Sequence, residues 1–159
     1  MTSSGDKQKD NDLLTSDQPA DEKQRSSLEA QISAMTTPQK VELAAKGNRE
    51  VRRILSRDTS SMVARALIIS PLLSEEDIIA FASSSQTNED ILRSIADNRQ
   101  WTANRQVVAA LVQNPRTPPP AAIRFLRNFA TNELRIISNN RSVSVVVRQE
   151  AKRMLTQRN

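Results

Sequence analysis

The chain contains the same apolar pattern twice, each time interrupted by proline. The segments VARALIISPLLSEEDIIAFA and VVAALVQNPRTPPPAAIRFL begin at Val63 and Val107, and they align residue for residue at an offset of 44. Pro71 and Pro115 coincide in this alignment. Apolar residues recur at helical spacing on both sides of each proline, and proline disfavours helical geometry in the residue before it. Each segment is therefore predicted to be two helices joined at a corner.

A second series of similar segments alternates with the first. The segments VRRILSRD, LRSIADNR and LRIISNNR begin at Val51, Leu92 and Leu134, at offsets of 41 and 42. The coinciding residues are Arg52, Arg93 and Arg135, and likewise Ile54, Ile95 and Ile137. The segment VVVRQEAKRML matches the helices that start near Val63 and Val107, without a following corner. Self-similarity at a period of 41–44 residues predicts an all-α fold, a right-handed α-solenoid with a repeat of about 42 residues.

Three consecutive prolines follow Thr117, and they allow two interpretations. Thr117 is a good helix N-cap, and proline is tolerated in a first helical turn, whose N–H groups have no partner within the helix. The alternative is a polyproline docking motif. Helical apolar spacing resumes at Ala122, Ile123 and Phe125, which favours the corner between two helices.

Other helix boundaries are predicted from capping patterns. Thr37 precedes Pro38 as an N-cap, and Gly47 follows an apolar helical face, where a left-handed C-cap is common. Two further pairs have the spacing of a capping box ahead of apolar runs. These pairs are Ser74 with Asp77, and Thr87 with Asp90.

Charge and composition divide the chain into two regions. Residues 1–35 carry four basic and seven acidic residues, whereas residues 36–159 carry 19 basic and 11 acidic residues, and 16 of the 19 are arginines. We expect residues 1–35 to be a disordered acidic tail, with a possible short helix over 27–35, because they hold too few apolar residues to offset the entropy of ordering. Residues 36–159 are predicted to form the solenoid domain.

The composition also limits the chemistry and the location that we expect. The chain has no cysteine and no histidine, so it lacks thiolates, imidazoles and the usual zinc ligands. No apolar stretch is long enough to span a membrane, and the N-terminus has no secretory signal pattern. We therefore expect a cytoplasmic protein that needs no cofactor and no metal.

The segments quoted above resemble HEAT and armadillo α-solenoids. The stretch LVQNPRTPPPAAIRFL is similar to one family in particular, the bacterial leucine-rich repeat variant, whose units combine a Val/Ala-rich helix, Asn-Pro, Thr-Pro and a Leu-rich helix. The copy that begins at Val63 has Ser70-Pro71 and Leu73-Ser74 at the two dipeptides. The resemblance implies a curved stack of short helices with a binding role, and it carries over no catalytic residue.

Arginines are the main candidates for a binding surface. In stacked repeats Arg52, Arg93 and Arg135 would form a ladder, and Arg99 and Arg141 would form a second pair after asparagines. Such a strip suits an acidic peptide or phosphates. The alternative is that these arginines are helix formers that pair locally and keep an aliphatic protein soluble. Trp101, the only tryptophan, is either an exposed anchor or a residue packed under a loop.

The leading hypothesis from the sequence is a non-catalytic scaffold or adaptor that binds a protein or an acidic peptide through this arginine-rich helical face. The alternative is a nucleic-acid-binding solenoid, which includes the HEAT-like glycosylases that repair DNA. A glycosylase cleft needs aromatic residues, and this chain has one Trp and three Phe. A further hypothesis is that the acidic tail folds back onto the basic body.

Overall fold

The computed structural model describes residues 11–159, and all regular structure within that range is helical. The helices are residues 11–15 (α1), Glu22–Ser33 (α2), Thr37–Ala44 (α3), Arg49–Leu55 (α4), Ser61–Ile68 (α5), Glu75–Ser83 (α6), Glu89–Asp97 (α7), Arg99–Thr102 (α8), Arg105–Gln113 (α9), Pro119–Ile123 (α10), Thr131–Asn139 (α11) and Val145–Arg158 (α12), with a 3-10 turn at Leu126–Asn128. The all-α prediction is confirmed. The chain divides into two compact units, and the boundary falls between Asp77 and Ile78.

The N-terminal region is more ordered than the sequence predicts. Helix α2 begins at Glu22 rather than at residue 27, because Asp21 accepts a hydrogen bond from the Gln24 N–H, and the Gln24 side chain accepts one in return from the Asp21 N–H. Leu28 and Ile32 of this helix are buried. Helices thus occur within residues 11–35, which the sequence predicts to be a tail, and residues 1–10 lie outside the described residues.

Two predictions at the ends of α3 differ from the structure, one in the capping residue and one in the backbone conformation of Gly47. The N-cap is Thr36 rather than Thr37, and it forms a capping box with Gln39. Gly47 does not adopt a left-handed conformation, since no residue within 11–159 has a positive φ. It is instead a point of close approach, because a Cβ atom at Gly47 would lie 2.9 Å from the Val51 Cβ and would clash with the Val51 Cγ1.

Of the two further capping boxes, one is confirmed and one is wrong. The Ser74 N–H donates to the Asp77 carboxylate at 2.9 Å, and the Asp77 N–H donates to the Ser74 hydroxyl at 3.2 Å. Helix α7 is capped by Asn88, whose side chain accepts from the Asp90 N–H. The Thr87 hydroxyl is buried and donates to the Phe81 carbonyl at 2.7 Å, so it is not available as a cap.

The proline-rich stretch is a corner between helices, as predicted, but its cap differs. Helix α9 ends at Gln113, two residues before Pro115. Helix α10 begins at Pro119 with Pro118 in the N-cap position, and no side chain caps it. The Thr117 hydroxyl is buried without a hydrogen-bond partner among the described residues. Thr117 is therefore a core residue rather than an N-cap.

The core of the second unit is aliphatic. Ile95 and Leu111 are fully buried, as their repeated positions predict. One cluster joins α9 to the last two helices through residues that are all buried. Its members are Val108, Val112, Ala122, Leu126, Phe129, Leu134, Ile137, Val143, Val147 and Ala151. Because these side chains come from α9, α10, α11 and α12 and from the segments between them, the cluster fixes the relative positions of those four helices.

Helix starts and buried positions recur along the chain, although the sequence alignment of α4 with α7 is wrong by one residue. Helices α5 and α9 start at Ser61 and Arg105, which matches the offset of 44. Helices α4 and α7 start at Arg49 and Glu89, an offset of 40 rather than 41. In this register the buried Arg52 matches the buried Leu92 and not the exposed Arg93. Ile54 is consequently only partly buried, unlike Ile95 and Ile137.

Candidate partner-binding surface

Arg52 does not lie on an exposed strip. Its side chain is almost completely buried in the first unit, where its Nε donates to the Asp77 carboxylate at 3.0 Å. Its Nη1 donates to the Gly47 carbonyl at 2.9 Å. All the contacts of the guanidinium are thus internal to the fold. The expectation that Arg52 binds a partner is wrong, because a buried and paired guanidinium has no surface to offer.

The other two members of the predicted ladder are both exposed and lie in the second unit. Arg93 is held by two acidic residues of its own helix, with Nη1 at 2.9 Å from Asp90 and Nη2 at 3.3 Å from Glu89. Arg135 forms no ion pair with any residue within 11–159 and is free to meet a partner. The two residues therefore differ: Arg93 fits the local-pairing alternative, and Arg135 fits the binding hypothesis.

Arg99 and Arg141 are exposed, and neither forms an ion pair in the part of the chain that the structure describes. Arg116 has the same properties, although its position after Pro115 matches neither arginine series in the sequence. Trp101 lies in the short helix α8 and is partly buried, and its backbone N–H donates to the Asn98 side chain at 3.3 Å. Trp101 is therefore intermediate between the two alternatives drawn from the sequence.

Arg116 and Arg141 occupy turns that are built in the same way. The Asn114 Oδ1 accepts from the Arg116 N–H at 2.9 Å, and the Asn140 Oδ1 accepts from the Ser142 N–H at 2.9 Å. Asparagine favours such turns because its side chain can accept from the backbone two residues ahead. The sequence signal for both turns is an asparagine at the end of an apolar helix, with an arginine one or two residues later.

A groove of about 600 Å³ lies along these turns within the second unit. Its walls carry hydroxyl, amide and backbone groups together with one alanine and one proline. The lining residues are Ser83, Ser85, Ala110, Gln113, Asn114, Pro115, Asn140 and Ser142. Arg116 directly follows the lining residue Pro115, and Arg141 lies between the lining residues Asn140 and Ser142, so both arginines are chain neighbours of the groove without lining it.

The two asparagines of the groove use their amides differently. The Asn114 Nδ2 donates to the carbonyls of Ala82 and Ser84 at 2.7 and 2.8 Å, which satisfies groups at the end of α6. The Asn140 Nδ2 donates to no group within residues 11–159. An amide donor that is partly exposed at a groove can bind a carbonyl of an incoming chain. The groove therefore offers hydrogen-bond donors, and two exposed arginines adjoin its lining residues in the chain.

The first unit contains an example of how a similar amide holds a peptide segment. The Asn48 Nδ2 donates to the carbonyls of Leu13 and Ser16 at 2.7 and 2.8 Å. The Asn48 N–H donates to the Leu14 carbonyl at 2.7 Å, and the Arg49 N–H donates to the Asp17 carboxylate at 3.2 Å. Part of the acidic tail thus contacts the body at backbone groups, at an asparagine and at one arginine, since Arg57 donates to Glu29 at 2.9 Å.

The described residues limit the site in two further respects. Residues 11–159 contain no cluster of three or more acidic side chains that could hold a metal ion. No helix in the described part of the chain has the length and apolar character needed to cross a bilayer.

Comparison with protein-family models, with curated proteins and with solved structures finds no match to this chain.

Proposed function

We propose that this chain is a non-catalytic adaptor, a HEAT-like α-solenoid that binds an acidic segment of a partner protein at the groove between its turns. The observation that carries the proposal is the placement of Arg116 and Arg141. Both residues adjoin, in the chain, lining residues of a groove with hydrogen-bonding side chains, both are exposed, and neither has an acidic partner among the described residues. Arginine binds carboxylates through a planar fork of donors, so an Asp- or Glu-containing segment is the ligand that fits.

The repeated helix starts support the solenoid part of the proposal. Helices α7 and α11 start at Glu89 and Thr131, and α9 and α12 start at Arg105 and Val145. Short helices that recur in this way share a continuous core with their neighbours and leave an extended face for partners. The resemblance to the leucine-rich repeat variant family adds the expectation of a binding role.

Two features favour a peptide over nucleic acid as the ligand. The groove is lined by Ser, Asn, Gln, Ala and Pro, with no aromatic side chain on which a base could stack. The Asn140 amide, moreover, is placed to bind a backbone carbonyl in the way that Asn48 binds those of Leu13 and Ser16.

The proposal is tested by direct binding to the full chain. The probes are a fluorescent dodecapeptide that alternates acidic and apolar residues, its Asn/Gln counterpart, and a 20-nucleotide single strand of DNA. We expect the acidic peptide to bind at least tenfold more tightly than its neutral counterpart. The double substitution of Arg116→Ser and Arg141→Ser is expected to remove that difference.

The matched control is the double substitution of Arg53→Ser and Arg65→Ser. These arginines are also exposed and in no ion pair within residues 11–159, and they lie in the first unit. The control removes the same charge, so equal losses from the two double variants would mean a non-specific charge effect and would overturn the proposal. DNA binding that exceeds peptide binding and falls steeply with salt would favour the nucleic-acid alternative.

A further inference from the structure

The last two helices expose apolar side chains beside the groove, and Ile136 lines a neighbouring pocket together with the groove residue Asn140. Ile136 of α11 is 67% exposed, and Val145 at the start of α12 is 55% exposed. Neither residue lines the groove. Exposed β-branched side chains on adjacent helices are candidates for an interface when their surroundings identify what would cover them.

Helices α7 and α9 of the same unit show what covers the corresponding side of an earlier helix pair. The face of α7 and α9 is covered by α10 and α11 through two ion pairs, Arg124 with Asp97 at 2.7 Å and Arg105 with Glu133 at 2.7 Å. The Arg105 guanidinium also lies over the Phe129 ring, 5.1 Å from its centre. Within this unit, therefore, one side of α7 and α9 is covered by the helices that follow them in the chain.

Helices α11 and α12 bury the same sequence positions as α7 and α9. Leu92 and Ile95 correspond to the buried Leu134 and Ile137 at an offset of 42, and Val107 and Leu111 correspond to the buried Val147 and Ala151 at an offset of 40. The side that is covered on α7 and α9 is thus the side that carries Ile136 and Val145 on α11 and α12. We call this surface the α11–α12 face.

The residues on the α11–α12 face differ in a consistent way from those at the covered positions. The two ion-pairing residues, Asp97 and Arg105, are replaced by Asn139 and Val145. The core residues Val108 and Val112 of α9 are replaced by Arg148 and Lys152, and Ser94 is replaced by Ile136. A second copy of this chain's own α10–α11 pair would therefore find neither of the ion-pair partners that it contacts on α7 and α9.

We infer that the α11–α12 face receives an acidic amphipathic helix of a partner protein. Continuity with the covered α7–α9 face indicates a helix, and Ile136 with Val145 supplies an apolar contact for one side of it. Arg135, Arg148 and Lys152 form no ion pair within residues 11–159, so the charge on this face is uncompensated and positive. An amphipathic helix that carries Glu or Asp beside its apolar stripe satisfies both conditions. This site goes beyond the groove and adds a second binding surface.

The test uses the full chain and a synthetic 18-residue helical peptide. The peptide carries leucine at positions i, i+3, i+4 and i+7, glutamate at three positions beside that stripe and alanine elsewhere, and a control peptide carries lysine in place of every glutamate. We expect the glutamate peptide to bind at least tenfold more tightly. The double substitution of Ile136→Ser and Val145→Ser is expected to weaken its binding at least tenfold, because polar side chains there remove the apolar contact.

The matched control is the double substitution of Met62→Ser and Ile69→Ser, which removes two exposed apolar side chains from the first unit. This variant is expected to bind the peptide normally, and so is the Arg116→Ser, Arg141→Ser variant, which separates this inference from the proposed function. Equal binding of the two peptides, or equal losses in the two apolar variants, would overturn the inference. So would a dimer in sedimentation velocity that the Ile136→Ser, Val145→Ser variant converts to a monomer, since the occupant would then be a second copy.

Discussion

The Arg52 guanidinium and the Asp77 carboxylate form a buried ion pair, with Nε 3.0 Å from Oδ2. The two residues are only 5% and 3% exposed. Asp77 also accepts from the Ser74 N–H and hydroxyl, and Arg52 also donates to the Gly47 carbonyl. One buried pair thus connects the start of α6 with α4 and with the turn that precedes α4.

Replacement of Arg52 by alanine is expected to destabilise the protein by about 3–5 kcal/mol, because the Asp77 carboxylate would remain buried without its cation. Urea denaturation followed by circular dichroism measures the change. The control is Arg53→Ala on the same helix, an exposed position where the change should stay within about 0.5 kcal/mol. Similar losses in both variants would mean that helix propensity, rather than the ion pair, determines the effect.

Two buried threonines are expected to respond differently to the same substitution. Thr117→Val should be neutral or stabilising, because the Thr117 hydroxyl is buried with no partner among the described residues. Thr87→Val should cost about 1–2 kcal/mol, because it removes the 2.7 Å bond to the Phe81 carbonyl. Thermal unfolding of both variants checks this contrast. A loss at Thr117 as large as the loss at Thr87 would indicate that the Thr117 hydroxyl has a partner in solution.

The close approach at Gly47 predicts a coupled pair of substitutions. Gly47→Ala is expected to destabilise the protein by about 1–3 kcal/mol, since its Cβ would overlap the Val51 side chain. Val51→Ala removes the nearest overlapping atom, the Val51 Cγ1, and leaves the Cβ contact at 2.9 Å, so it should be less destabilising in the Gly47→Ala background than in the wild-type protein. A double-mutant cycle from urea unfolding measures the coupling. Additive losses would show that the two side chains do not compete for the same space.

The Lys40–Asp58 ion pair predicts a loss of stability in acid. Burial by itself raises the pKa of Asp58, but the hydrogen bonds from Lys40 and the Ser60 N–H, together with the Lys40 charge, hold that pKa below its ordinary value overall. The stabilisation is therefore present above the ordinary carboxyl pKa and is lost as pH falls through the lowered value. Asp58→Asn should cost about 1–3 kcal/mol at pH 7 and flatten the decline below about pH 4.

The matched control for Asp58 is Asp97→Asn, which breaks an exposed ion pair with Arg124. Its effect at pH 7 should be under about 1 kcal/mol, because exposed pairs contribute little. Urea midpoints at pH 7 and pH 3 are compared for the wild type and both variants. An unchanged acid decline in Asp58→Asn would assign the pH dependence to other carboxyl groups.

The helical class, the corner at Pro115 and the buried positions of Ile95 and Leu111 were all predictable from the sequence. These features follow from apolar spacing and from proline geometry, which act over a few residues. The sequence alignment of Arg52 with Arg93, by contrast, does not match the structure. The matching letters were one residue out of register with the helix starts, and only the packing shows which alignment places Arg52 in the core.

The choice of capping residue could also not be predicted from the sequence. Thr87 and Thr117 have the side chain of an N-cap, yet both are buried, and Asn88 and Pro118 take the cap positions instead. The groove was not predictable because its lining comes from three separate turns. Arg141 was identified from its position after an asparagine, whereas Arg116 was missed because it belongs to neither repeated arginine series.

The most direct measurement for the adaptor proposal is affinity capture from lysate with the full chain and with the Arg116→Ser, Arg141→Ser variant, both after nuclease treatment. The account predicts that the wild type retains a protein partner at moderate salt. It also predicts that this partner is lost in the variant and retained in the Arg53→Ser, Arg65→Ser control. Capture of nucleic acid alone, or of the same proteins by all three forms, would contradict the account.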